Sequence, residues 1–332
     1  MGNRLAYLVK LTLTLVLAST PGIGNANDDI FEGWTAEKFI KVIPDEETIA
    51  LAAGYLKVHE IENQNLKSSV ALHAPEAFNT KLSDSMSVIA QRAASYFNLK
   101  TVKVYLFDER YKDWYRNQYV NMRDLNLKEN VLSCTMKNVD MCAYADYAEK
   151  TNVVFLINSQ FADNLPSFQY AIFHEIAHLY AFHLRGQDED QHLPNCWMEE
   201  GIAVFLALSG TIDDAKFSDE LRSRYILSTK EVFGDFDLNN LMKFYATNMR
   251  DKSAQSLGVC NSTNIGYSFG NLFFEYLYSK YSVQEINGFI NELARSKSFE
   301  TASNKYLKIG EDLLMREVFT YLNSQYKKAT LP

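Results

Sequence analysis

Residues 165–184 read LPSFQYAIFHEIAHLYAFHL, an almost wholly apolar run with His174-Glu175-Ile176-Ala177-His178 at its middle. Asp163, Asn164 and Pro166 form a helix-start signal and Gly186 stands just past the end, so the run is expected to be one helix. A helix that is apolar nearly all round belongs inside a protein. Two imidazoles carried into such a setting need partners for their ring nitrogens. At four-residue spacing they leave one face a turn apart, the separation at which both reach one tetrahedral metal ion. Glu175 lies about 100° round the helix from His174 and can address a metal-bound water without being a ligand. The bland alternative is a chance match with two satisfied core histidines, in a chain that has six histidines in all.

Downstream, the polar segment Arg185 to Asn195 lets the chain reverse before a second apolar helix opens at Cys196-Trp197-Met198-Glu199-Glu200-Gly201-Ile202-Ala203-Val204-Phe205. A carboxylate on its first turn could complete a three-ligand site. Glu199 and Glu200 both qualify, the first also reading as an exposed charge favoured by the helix dipole. The acidic run Gln187 to Gln191 reads as a solvated loop. His183 is out of phase with the ligand face and reads as structural, while His192 sits in the loop within possible reach of the site. A third histidine ligand in the metzincin spacing is excluded, because Ala181 and Leu184 occupy the glycine and histidine positions of that pattern.

His-Glu-x-x-His followed by Trp197-Met198-Glu199-Glu200-Gly201-Ile202-Ala203 resembles the gluzincin metallopeptidases, above all the secreted peptidase-MA-like group related to the zinc aminopeptidases. The resemblance implies a thermolysin-like zincin fold, one Zn²⁺, and Glu200 as third ligand beside His174 and His178. It extends to Gly266-Tyr267-Ser268-Phe269-Gly270-Asn271, where the family places a helix whose tyrosine faces the metal, so Tyr267 is the candidate oxyanion donor. The implied reaction is hydrolysis of a peptide or protein substrate, with Glu175 as the base. No Gly-x-Met-Glu-Asn segment is present, which points to an endopeptidase rather than an aminopeptidase. Val204 stands where many gluzincins carry an aspartate that orients a ligand histidine. That departure supports the alternative, a catalytically inactive metallopeptidase-like binding or cell-envelope scaffold protein.

The rest of the chain sets the frame. Residues 1–26 carry Arg4 and Lys10, the apolar run Leu11 to Ala18, and the small-residue exit Gly24-Asn25-Ala26, as a secretory signal cleaved after Ala26 does. The expected location is therefore secreted or periplasmic. The apolar run is far below the roughly 20 residues needed to span a bilayer, and stable membrane insertion of the mature chain is not expected. The net charge of −8 becomes −10 once the leader's two basic residues are gone, and with no basic stripe a nucleic-acid partner is excluded. Cys134, Cys142, Cys196 and Cys260 are even in number in a chain bound for an oxidising compartment. Three pairings are possible; proximity favours Cys134 with Cys142, which by elimination joins Cys196 to Cys260.

Helices are expected from Asp45 to Glu60 and from Asn79 to Phe97, the second with an apolar face of Leu82, Met86, Ile89, Ala90, Ala93 and Phe97. Strands are expected at Ser68 to Ala74, at the alternating Thr101 to Phe107, and at the denser Asn152 to Ile157. The fold class is α+β: a small mixed β-sheet with helices in the N-terminal half, and an all-helical C-terminal half carrying the metal-binding helices. The expected parts are a helical segment at 27–66, a sheet-containing half of the peptidase domain at 67–165, and the helical zinc-binding half at 166–332.

Overall fold

Ser69–His73 forms β1, the first strand of a parallel β-α-β unit completed by α1 (Thr80–Tyr96) and β2 (Thr101–Asp108). The computed structural model describes residues 68–118, 131–134, 141–146, 150–158, 165–185, 193–210, 222, 224–229, 237–250 and 264–330. The expected leader, the helix expected at Asp45 to Glu60, Asp163, Asn164, His192 and Cys260 lie outside these residues. The chain divides into two compact units, the described part of the first ending at Phe182 and that of the second beginning at His183.

In the first unit α1 starts where Asn79 accepts a hydrogen bond from the Leu82 amide at 3.1 Å. Leu82, Met86, Ala90 and Ala93 give it one buried stripe. It ends in a Schellman arrangement: Asn98 takes φ 53°, its amide bonds Ser95 O, and the buried Leu99 sends its amide back to Ala94 O. An asparagine tolerates that left-handed turn, and the chain is reversed straight into β2.

The sheet has the order β1-β2-β4-β3, with β3 at Met141–Ala145 and β4 at Asn152–Ile157. β2 lies between parallel neighbours, while β3 is an antiparallel edge strand on β4. The alternation expected of β2 holds only from Thr101 to Val104; from Tyr105 to Asp108 every residue is buried. The reason is its central place with both faces covered. On one face Tyr105, Phe107, Cys142, Val154 and Leu156 pack with Tyr115 of α2 (Lys112–Gln118), whose ring stacks on Phe107 at 4.6 Å. The opposite face carries Val104, Leu106, Val153, Phe155 and Ile157, all buried. A disulfide joins Cys142 of β3 to Cys134, as proximity suggests. Against the end of α1 lies α3 (Leu165–Leu184), where Phe173 meets the ring edges of Tyr96 and Phe97, and Tyr180 stacks on Phe97 at 5.5 Å.

Among the described residues of the second unit there are helices and no strand. They include α4 (Cys196–Gly210), α5 (Leu238–Asn248), a π-helical turn (Asn264–Phe269) running into α6 (Gly270–Lys280), then α7 (Val283–Ser296), α8 (Phe299–Ala302), a second π-helical turn (Ser303–Leu307) and α9 (Glu311–Thr330). Ser282 and Glu285 form a full capping box at the start of α7. A buried pair, Arg222 with Glu275 of α6, also takes in Tyr321 and Gln325 of α9 and so fixes the two helices together. The α+β class with a small mixed sheet is thus present, and no described helix is long and apolar enough to cross a membrane.

Candidate metal centre

Three polar side chains sit in the strongly apolar helix α3. His174, Glu175 and His178 of α3 are each about 95% or more buried, at 4%, 3% and 5% exposure. The Nε2 atoms of His174 and His178 stand 3.2 Å apart and the two ring planes are perpendicular, at 90°. Metal–nitrogen bonds of 2.0–2.1 Å in a tetrahedron set ligand atoms about 3.3–3.4 Å apart, so the imidazole pair fits a shared zinc ion to within a few tenths of an ångström. The donor chemistry agrees, since neutral imidazole is a preferred zinc ligand.

Glu175 projects from the same turn, and its charge is felt by Tyr144 on the edge strand β3. Burial first, and then the negative charge of Glu175, push the Tyr144 phenol up to about 12. Its hydroxyl therefore keeps its proton throughout the neutral range. Nothing in the sequence connects Tyr144 with Glu175; strand pairing and the Cys134–Cys142 bridge set its place.

The two candidate carboxylates of α4 have different surroundings. Glu199 is buried and engaged on both oxygens: Arg185 reaches it with two guanidinium nitrogens, Nη2 lying 2.5 Å from Oε2, and the Leu193 amide donates to Oε1 at 2.8 Å. It ties both ends of the Arg185 to Asn195 segment to the first turn of α4, a structural role that removes it from the ligand candidates. Glu200, about 100° further round the helix, is only partly buried.

Tyr267 lies in the π-helical turn before α6, is 1% exposed, and belongs to an element packed on α4. That packing has a sequence cause. Gly201 and Gly270 meet backbone to backbone, and a Cβ on either would overlap the other helix. Trp197 completes the contact against Phe269 and Phe273, with ring centroids 5.0 and 5.1 Å away. The glycine that follows Glu200 is thus the point at which its helix touches the segment carrying Tyr267. A π-helical turn at this place is in keeping with the concentration of such turns at functional sites.

His183 is exposed on α3, away from the two buried imidazoles, and the pairing of Cys196 with Cys260 lies outside the described residues. Val204 is fully buried and supplies no polar atom to a ligand ring. No protein-family model, curated protein or solved structure matches the chain.

Proposed function

We propose that the chain is a zinc-dependent peptidase in which His174, His178 and Glu200 hold one metal ion and Glu175 is the general base. The observation that carries this reading is the 3.2 Å approach of two buried imidazole nitrogens, a ligand spacing in a strongly apolar helix. Further support comes from the chemistry of the three named residues, two imidazoles and a carboxylate, which are donor types that zinc takes.

Three protein ligands are the number found in catalytic zinc sites, where a fourth position is left for water. Bound zinc would supply Lewis acidity, lowering the pKa of water from 15.7 to about 7 and polarising a carbonyl oxygen. Glu175 would accept the proton of the attacking water and return it to the leaving amine, a role worth about 10²–10⁴-fold in rate. Tyr267 would donate its hydroxyl proton in a hydrogen bond to the developing oxyanion. The missing anchor for a substrate amino terminus favours internal peptide bonds, and the N-terminal signal pattern favours a secreted or periplasmic site of action.

Metal analysis of the purified full chain, with digestion of a peptide library by wild type and Glu175→Gln, tests the proposal. Stoichiometric zinc in both proteins and a turnover at least about 10²-fold lower in the variant are expected. Wild type without bound metal, or hydrolysis retained by Glu175→Gln, would remove it. Zinc bound without hydrolysis of any library peptide would instead favour the binding or scaffold alternative that Val204 suggests.

A further inference from the structure

We infer that Tyr170 and Phe182 are positioning residues that hold the imidazoles of His174 and His178 in their metal-binding orientation; the inference rests on the zinc reading of those histidines. The four residues recur at four-residue spacing, so their side chains climb one face of α3 with a slow drift about the axis. Their rings form a continuous ladder: Tyr170 to His174 at 5.9 Å between centroids, His174 to His178 at 4.8 Å, and His178 to Phe182 at 5.9 Å. All four are buried, at 1%, 4%, 5% and 3% exposure.

The need for such rungs follows from the torsions. Helix geometry sets where each histidine Cβ sits and restricts χ1, but χ2 of a histidine is a broad, roughly two-fold torsion. Left to itself the ring swings, and its Nε2 sweeps an arc wider than the 10–20° tolerance of a working metal site. A flat ring packed against the imidazole narrows that arc. Phe182 lies within 21° of coplanar with His178, as a stacked pair, and Tyr170 is tilted by 35° against His174. The outer rings thus take one imidazole each. The inner pair is left perpendicular, with both Nε2 atoms turned toward each other at 3.2 Å. Neither Tyr170 nor Phe182 touches the metal in this scheme; each acts through its neighbour.

The test uses the full chain and four variants: Tyr170→Leu and Phe182→Leu, which delete a rung, and Tyr170→Phe and Phe182→Tyr, which keep the ring. Zinc affinity is measured by competition with a chromophoric chelator, and coordination geometry from the visible absorption of the Co²⁺-loaded protein. Each leucine variant should lose about 2- to 10-fold in affinity, as expected for one aromatic pair, and should shift the Co²⁺ bands. Both ring-keeping variants should match wild type in both measurements. Should Phe182→Leu fail to fold, Phe182→Met carries the same comparison with a smaller change of volume. Folded leucine variants with wild-type affinity and an unchanged Co²⁺ spectrum overturn the inference while leaving the zinc reading intact. A wild-type chain that binds neither ion overturns both.

Discussion

Glu199→Ala and Glu200→Ala change adjacent residues of one helical turn and are expected to do opposite things. The Arg185 and Glu199 side chains are 2% and 7% exposed, so truncating Glu199 leaves a buried guanidinium without its carboxylate and the Leu193 amide without its acceptor. Removing one partner of a buried ion pair costs about 3–5 kcal/mol. At about 2–4 °C per kcal/mol for a unit of 150–250 residues, the Tm should fall by roughly 6–20 °C. Glu200 is partly buried, and its replacement leaves the Arg185–Glu199 pair intact, so the cost of orphaning that guanidinium does not arise. Melts followed by circular dichroism should be run with excess chelator, because bound metal would add its own stabilisation to some variants and not others. Zinc content is then measured separately at a temperature where both proteins are folded. Glu199→Ala should keep zinc and melt early, whereas Glu200→Ala should melt like wild type and lose zinc. Because the loss comes from orphaning a charge, adding Arg185→Met to Glu199→Ala should recover part of the Tm. An early-melting Glu200→Ala, or a Glu199→Ala that loses zinc at an unchanged Tm, would reverse the two assignments and refute the reasoning.

Gly201→Ala should destabilise although alanine is the better helix former: forcing a methyl between α4 and α6 costs about 1–3 kcal/mol, against roughly 0.5–1 kcal/mol gained in helix propensity. A thermal melt equal to or above wild type would show that the two helices part without cost. Opening the Cys134–Cys142 bridge, by Cys134→Ser with Cys142→Ser, releases a loop with a sequence separation of 8 and should cost about 2.5 kcal/mol in the chain-entropy account. Amide exchange read along β3 should quicken in that variant; protection equal to wild type throughout Met141–Ala145 would count against the bridge as the tether of the edge strand. Glu292 tests the acid side. Hydrogen bonds from Arg295 and then Lys305 hold its carboxyl down to about 2, below the ordinary 4.5. The stabilisation is therefore full above pH 4.5 and is lost as the pH falls toward 2. The Tm gap between wild type and Glu292→Gln should close over that window, and a gap that stays constant would contradict the assignment.

What could be read from residues alone follows the range of the interactions involved. α1 was legible because its cap, its apolar stripe and its turn at Asn98 are all local. β4 was legible because six consecutive buried positions demand an unbroken apolar run, and Asn152–Ile157 supplies nearly that. β3 was not legible: Met141-Cys142-Ala143-Tyr144-Ala145 neither alternates nor stands out, and it is a strand because β4 offers it an antiparallel edge and Cys134 a tether. The burial of Tyr105 escaped for a related reason, since a strand's own pattern does not say how many neighbours it will have.

The site divides along the same line. His174 and His178 were legible because four residues along a helix is one turn whatever the tertiary structure, and the ladder continued by Tyr170 and Phe182 was open to the same count. Glu199 and Glu200 were not separable that way, because they are neighbours near the start of α4. What separates them is Arg185, at a sequence distance of 14 across a polar loop with no regular period to read. Yet the separation, once made, is forced. Adjacent residues of a helix diverge by about 100°, so a turn rigid enough to hold one carboxylate on a buried guanidinium necessarily aims the next one somewhere else. Under the proposed reading Arg185 would therefore act at one remove: by taking Glu199 it sets the rotation of α4, and that rotation determines the direction Glu200 has left to it.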